Sequence, residues 1–331
     1  MPLATRRCGS ASPPTRGRPG PATAHGSAAL AAACVLALAG LVGACAIAAG
    51  LPPGTAGSPT AATVSASPGA SVAASSGRPS DSALPLPIRP PAAIRCTAVE
   101  GGTAQSFGLC VPVLEYHRIA TESEARGSLP GLVVSPAEFE AQMVALRAAG
   151  WRTITLGELA NDLAAKRSPP ARTLVITIDD GWFDGYLHAF PILEGQGFVA
   201  TFFAISSRIG STSFLSAAEM RDLVAAGNEI GNHTDDHRNL LDLDSAAIRK
   251  DVETASERLA AATGVRPRSF SYPRGGVSAR VVAAVAECRG IEVAVSERRT
   301  IGETWAGRFD VPRLDVGPGV SPGTLLAWLG G

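Results

Sequence analysis

Between residues 111 and 316 the chain repeats one pattern: a short run of β-branched and aromatic residues, then a longer stretch with helical spacing. Runs at 111–116, 152–156, 173–178, 199–203, 229–232, 269–272, 291–295 and 311–316 read as strands. The helical stretches carry their own punctuation. Ser135-Pro136-Ala137-Glu138 offers an N-cap, a proline at the first helical position and a capping-box glutamate, and Phe139, Met143 and Leu146 follow on one face. Ser216 and Glu219 repeat the capping pattern, while Gly150, Gly197, Gly227 and Gly264 close helical runs. The stretch 245–262 presents Arg249, Lys250, Asp251, Glu253, Glu257 and Arg258, which reads as a solvated face. Strands that alternate with helices run parallel, because each crossover helix returns the chain to the same end of the sheet. The expected fold is therefore α/β, with an open sheet or a barrel, and with chemistry at the C-terminal strand ends.

The first 92 residues follow a different rule. Up to about Pro91 the chain is dominated by Ala, Pro, Gly, Ser and Thr. Segment 1–26 is basic, with Arg6, Arg7, Arg16 and Arg18. Segment 27–51 is apolar and uncharged, and a stretch of about 20 such residues suffices for a helix to cross a bilayer. Upstream arginines would hold the N-terminus inside and send the rest out. An uncleaved anchor and a cleaved signal both fit, and Leu41-Val42-Gly43-Ala44-Cys45 resembles a bacterial lipoprotein processing site. Segment 52–92 is a Pro/Ser/Ala/Gly linker, expected to be disordered, and 93–331 forms a single domain. The expectation is a monomer outside the cytoplasm, tied to the membrane by a single span or a lipid, or else secreted.

Cysteine usage agrees with export. Cys8, Cys34 and Cys45 lie in the leader; Cys96 and Cys110 flank a short loop that a disulfide could close, contributing about 3 kcal/mol. Cys288 reads as a buried small hydrophobe, and the absence of any CxxC pair argues against a thiolate metal site. Lys+Arg and Asp+Glu both total 29, so charge gives no case for a nucleic-acid partner.

Of the domain's histidines, His117, His233 and His237 fall at or just past strand ends, and so does the pair Asp179-Asp180 before Gly181. Neighbouring side chains on a strand point to opposite faces, so two adjacent carboxylates converge only where the strand turns, which the glycine permits. A His-x-x-x-His spacing can put both rings on one helical face. With Asp180 as an oxygen ligand, His233 and His237 form a set that leaves a coordination position open, as a catalytic zinc site requires. Asp179 is then the general base. His188 reads as a partly exposed helical residue. Trp182 and Tyr186 read either as a sugar platform or as core or lid, and Asp235 and Asp236 as shaping the loop between the ligand histidines.

These residues resemble the motifs of the polysaccharide deacetylase family (NodB homology, carbohydrate esterase family 4). Thr177-Ile178-Asp179-Asp180-Gly181-Trp182 is similar to the first motif, His233-Thr234-Asp235-Asp236-His237 to the second, and Phe270-Ser271-Tyr272-Pro273-Arg274-Gly275 to the third. The likeness runs from about Val111 to Val316. It implies a distorted, TIM-like (β/α) barrel of the NodB type and metal-dependent hydrolysis of N-acetyl groups on an amino-sugar polymer, whether poly-N-acetylglucosamine, peptidoglycan or a chitin-like chain. It also implies Asp179 as base, Asp180, His233 and His237 as ligands of Zn2+ or another divalent ion such as Co2+ or Ni2+, and the Arg274 backbone N–H as an oxyanion donor. Two places depart from the pattern. Ser271 stands where many members have an arginine that orients the base, and residues 321–331 lack the histidine that serves many members as general acid. Pro312-Arg313-Leu314-Asp315 and Tyr116-His117 resemble elements of the poly-N-acetylglucosamine deacetylase branch, which points to Arg313 and His117 as the substitutes. An O-acetyl polysaccharide esterase of the same fold and a catalytically silent glycan-binding wall protein are the alternatives.

Overall fold

In the computed structural model, which describes residues 107–330, the strands are β1 (Gly108–Leu109), β2 (Val113–Tyr116), β3 (Arg118–Ile119), β4 (Val133–Val134), β5 (Arg152–Ile154) and β6 (Thr173–Ile178). They continue as β7 (Thr201–Ala204), β8 (Glu229–Asn232), β9 (Ser269–Ser271), β10 (Val293–Ser296), β11 (Glu303–Thr304), β12 (Val311–Pro312) and β13 (Leu314–Asp315). The helices are α1 (Pro136–Ala148), α2 (Leu156–Ala165), α3 (Phe190–Gly195), α4 (Ala217–Ala225), α5 (Ser245–Thr263), α6 (Ala279–Ala286) and α7 (Pro322–Trp328). Segments 1–26, 27–51 and 52–92, together with Cys96, lie outside the described residues. Cys110 is half of a disulfide, and Cys288 is free and buried as expected. Among the described residues no helix is long and apolar enough to cross a membrane.

One parallel sheet of nine strands carries the fold, in the order β12-β10-β9-β8-β7-β6-β2-β13, with β5 also paired to β6. Strand β6, Thr-Leu-Val-Ile-Thr-Ile, is buried along its whole length, as a strand covered on both faces should be. Strand β5 pairs with its first half, from Arg152↔Thr173 to Ile154↔Val175. Strand β7 takes over at Thr177↔Thr201 and Ile178↔Phe202. The C-terminal end of β6 is thus flanked on both sides just before Asp179.

The expected strand 311–316 is split. β12 pairs with β10 through Val295↔Val311 and Ser296↔Pro312. β13, one residue later, pairs with β2 at the other end of the sheet through Leu314↔Leu114 and Asp315↔Glu115. A five-residue segment therefore brings the two sheet edges together and nearly closes a (β/α) barrel, and Arg313 is the residue between the two pairings. A continuous strand there would serve one edge only.

Inside the barrel, Phe203 fills the space that Gly231 leaves free: a Cβ on Gly231 would lie 2.4 Å from the Phe203 ring. Phe203 is fully buried with Val113, Val175, Val293, Val295 and Val311, and leucines of α2 join this cluster.

Both expected capping boxes form, Ser135 with Glu138 and Ser216 with Glu219, and a third, Thr155 with Glu158, starts α2. Gly150, Gly197, Gly227 and Gly264 all have positive φ. One reading of α5 is corrected. Asp251 is not on a solvated face; it is buried and accepts the Asp235 N–H at 2.6 Å, because this part of α5 packs beneath the loop after β8.

Candidate active site

His117 follows β2, Asp179 and Asp180 follow β6, and His233 follows β8, all at the C-terminal rim of the barrel. The Asp179 N–H donates to the Tyr116 carbonyl at 2.9 Å, extending the β2–β6 ladder by one step. The chain then turns through Asp180 (φ 75°) and Gly181 (φ 73°). Any side chain at Gly181 would lie 3.0 Å from the Ala204 Cβ. Beyond the turn the backbone is pinned to a neighbouring loop, Phe183 N–H to the Ser213 carbonyl at 2.8 Å and Leu215 N–H to the Gly181 carbonyl at 2.9 Å.

His233 and His237 are not on a helix. Their rings converge, centroids 4.9 Å apart, through a loop with positive φ at Thr234 (65°) and His237 (56°). Asn232 holds this loop, accepting the Thr234 N–H at 2.7 Å and donating to the Val252 carbonyl and Ser256 hydroxyl at 2.9 Å each. The Thr234 hydroxyl accepts the His237 N–H at 2.9 Å. Asp235 shapes the loop as expected, bound by the Ser206 hydroxyl and by Arg258 at 2.6 Å. Of the non-glycine residues with positive φ, Asp180, Thr234, His237 and Arg274 all belong to this site. Each such conformation costs on the order of 1–3 kcal/mol, and that kind of strain gathers where function fixes geometry.

Asp180 Oδ1 lies 3.4 Å from His233 Nε2 and 3.3 Å from His237 Nε2. His233 Nδ1 donates to the Ser271 carbonyl at 2.9 Å, which fixes the tautomer and leaves Nε2 as the lone-pair nitrogen. Burial and the neighbouring His233 push His237 down to about 4. For His233 burial works the same way, but Asp180 and Asp179 outweigh it and the ring is raised.

Asp179 is 2% exposed and faces a cation on one side. Arg313 Nη1 donates to Oδ1 at 2.9 Å and Nη2 to Oδ2 at 2.9 Å. The Ser271 hydroxyl adds a third bond to Oδ2 at 2.9 Å. Burial pushes the Asp179 carboxyl up, but Arg313, helped by His233 and His117, more than offsets it and holds the group below the usual carboxylate range. Arg313 also donates to Glu115 Oε1 at 2.8 Å. Glu115 was not singled out from sequence; burial raises it to about 8 even against Arg313. His117 Nε2 is 3.9 Å from Glu115 Oε1. Ser271, which the sequence marks only as a missing arginine, is thus a donor to Asp179, with Arg313 entering from the opposite end of the domain.

A cavity of about 550 Å³ opens over these groups, lined by His117, Asp179, Asp180, His233, His237 and Arg274 among others. Arg274 enters it from a short turn with φ 57°. Tyr186 does not reach it, since its hydroxyl donates to Asp222 at 3.1 Å and its ring stacks on Phe183 and Phe190. His188 sits on a π-helical turn, paired with Glu124 at 3.0 Å.

The polysaccharide deacetylase family model matches residues 166–293, the span that holds Asp179, Asp180, His233 and His237. Residues 166–293 thus carry a polysaccharide deacetylase domain. YxkH of Bacillus subtilis (strain 168), whose name places it among polysaccharide deacetylases, is 28% identical over 219 residues, covering 66% of this chain and 76% of YxkH. The poly-beta-1,6-N-acetyl-D-glucosamine N-deacetylase of Staphylococcus epidermidis is 25% identical over 240 residues, covering 66% of this chain and 82% of that one. Among solved structures, IcaB from Ammonifex degensii superposes with a TM-score of 0.58 at 26% identity, over 66% of this chain and 96% of IcaB. The deacetylase PplD of Streptococcus pyogenes superposes at 0.60 with 22% identity, over 66% and 97%, and bears on the fold alone.

Deacetylases of this family generally depend on a metal, and the donor set here fits one. Tetrahedral zinc with bonds of about 2.0–2.2 Å to nitrogen and oxygen sets its ligands roughly 3.3 Å apart, the spacing found from Asp180 to each histidine. Glu115, His117 and Asp179 form a second group with metal-like spacing. The Arg313 guanidinium already occupies both of its carboxylates, so a cation has no place there.

Proposed function

We propose that this chain is a metal-dependent hydrolase that removes N-acetyl groups from an extracellular or cell-wall amino-sugar polymer. The observation that carries the reading is the adjacency of two unlike sites: a His-His-Asp triad with ligand spacing, and beside it a carboxylate, Asp179, clamped by Arg313. Asp180, His233 and His237 would hold a divalent ion, which would supply Lewis acidity to polarise the acetamide carbonyl. Asp179, kept ionised by Arg313, takes the proton from the attacking water. His117, on the same cavity wall, gives a proton to the departing nitrogen, and the Arg274 N–H donates to the developing oxyanion. Poly-N-acetylglucosamine is the favoured substrate, supported by the relatives named for that polymer. The apolar stretch 27–51 supports an outward-facing enzyme held by an anchor or a lipid.

The test is acetate release from poly-N-acetylglucosamine, peptidoglycan and chitin oligomers. Release is expected from the first, is abolished by a chelator, and returns with added Zn2+ or Co2+. Release from O-acetylated glycans alone would make the chain an esterase. Binding of glycan without any release would make it a silent wall protein. His117→Asn is expected to lower turnover by about 10²–10⁴-fold with metal content unchanged by elemental analysis. Loss of the metal in that variant would make His117 a ligand instead of the acid.

A further inference from the structure

Trp182 stands two residues beyond the ligand Asp180, and its ring offers no face to a sugar. On one side the Arg118 guanidinium lies 4.3 Å from the ring centroid. On the other, Phe214 stacks at 4.3 Å with an interplanar angle of 23°, and the same two residues form an antiparallel bridge. Arg118 is itself fixed: Nε donates to Asp184 Oδ2 at 2.7 Å, Nη1 to the Ser128 hydroxyl at 2.7 Å, and Nη2 to the Glu124 carbonyl at 3.2 Å. An indole clamped on both faces keeps one degree of expression, its edge. That edge points at the metal ligand: Trp182 Nε1–H donates to Asp180 Oδ2 at 3.1 Å. The other carboxylate oxygen, Oδ1, is the one facing both histidine nitrogens.

We infer that Trp182 is a positioning residue for the metal site: its N–H holds Asp180 Oδ2, so that the carboxylate presents Oδ1 alone to the ion. The inference rests on Asp180, His233 and His237 being the ligands. Without the N–H, Oδ2 is free to swing toward the ion and make the carboxylate bidentate, and Asp180 loses the partner that sets its plane. Partners that orient a ligand in this way typically contribute 10–100-fold to metal affinity. The clamp also links the metal ligand to the segment carrying Glu124 and Ser128, which borders the cavity.

The experiment uses the whole protein, stripped of metal and titrated with zinc against a chromophoric chelator, then loaded with cobalt for absorption spectroscopy. Trp182→Phe keeps a ring between Arg118 and Phe214 and removes the N–H. Replacement of Trp182 by benzothienylalanine keeps the bicyclic shape with sulfur in place of N–H and guards against a packing defect. Both are expected to raise the zinc Kd about 10–100-fold and to weaken the visible cobalt bands as the carboxylate adds a second bond, with the melting temperature of the metal-free protein unchanged for the benzothienyl form. A wild-type Kd and spectrum in the benzothienyl form would overturn the inference. Asp180→Asn and His237→Ala run in parallel: zinc binding that survives in both would show instead that the ligand set is wrong, and the inference would fall with it.

Discussion

Asp179→Asn is expected to reduce acetate release by about 10²–10⁴-fold, the usual contribution of a general base, while the protein keeps its metal and its fold. The amide is nearly isosteric with the carboxylate and can still accept a bond from Arg313 or Ser271, so the geometry around it survives. What it cannot do is take a proton. Removing this charge would ordinarily strand a buried arginine, which is a severe defect. Here the defect has a remedy in place. Glu115 is 2.8 Å from the same guanidinium, and one of the groups raising its pKa is Asp179 itself. Once Asp179 is neutral, Glu115 ionises more readily and Arg313 retains a counter-charge. The check is a paired measurement of turnover and bound metal on one preparation. Loss of metal together with activity would make Asp179 a ligand and would sink its assignment as base.

What the sequence disclosed and what it hid divide along a physical line. Features set within a few residues were legible. The capping boxes at Ser135 and Ser216, the helix-closing glycines and the strand 173–178 are local events, and each appears where the residues placed it. The His-x-x-x-His spacing was legible as a pair, although a helix was the natural way to bring the rings together. Asn232 achieves it with a loop by bonding to α5, a contact that no pattern within the segment announces. Glu115 was hidden inside an apolar run, and only the parity of β2 places it on the inner face beside Arg313. Asp251 was hidden in the opposite way, counted among surface charges though it supports the ligand loop. Trp182 illustrates the limit most clearly. Its identity is compatible with a sugar platform, and only the two partners stacked on it exclude that role.

The break in the last strand gives the other large effect. Arg313→Met is expected to destabilise the protein by about 3–5 kcal/mol, the usual penalty for removing one partner of a buried ion pair, and to move the acid limb of the pH–rate profile upward. Both follow from one geometry. Arg313 is 1% exposed, and it is the cation between two buried carboxylates, Asp179 at 2.9 Å and Glu115 at 2.8 Å. In the intact protein burial pushes Asp179 up and Arg313 outweighs it. With the guanidinium gone, only the weaker pull of His233 and His117 is left to oppose burial, the carboxyl holds its proton to higher pH, and the ionised base is available only above that point. A role confined to closing the barrel would lower the melting temperature and leave the acid limb where it was. Arg313→Lys separates the two further. A lysine restores the charge but, as a compact ammionium without the planar fork, cannot bond both Asp179 oxygens and Glu115 at once. The lysine form should therefore recover part of the acid-limb position and little of the turnover, because the base is ionised again but no longer held in one orientation. Full recovery of turnover in Arg313→Lys would reduce Arg313 to a point charge and remove orientation from its task.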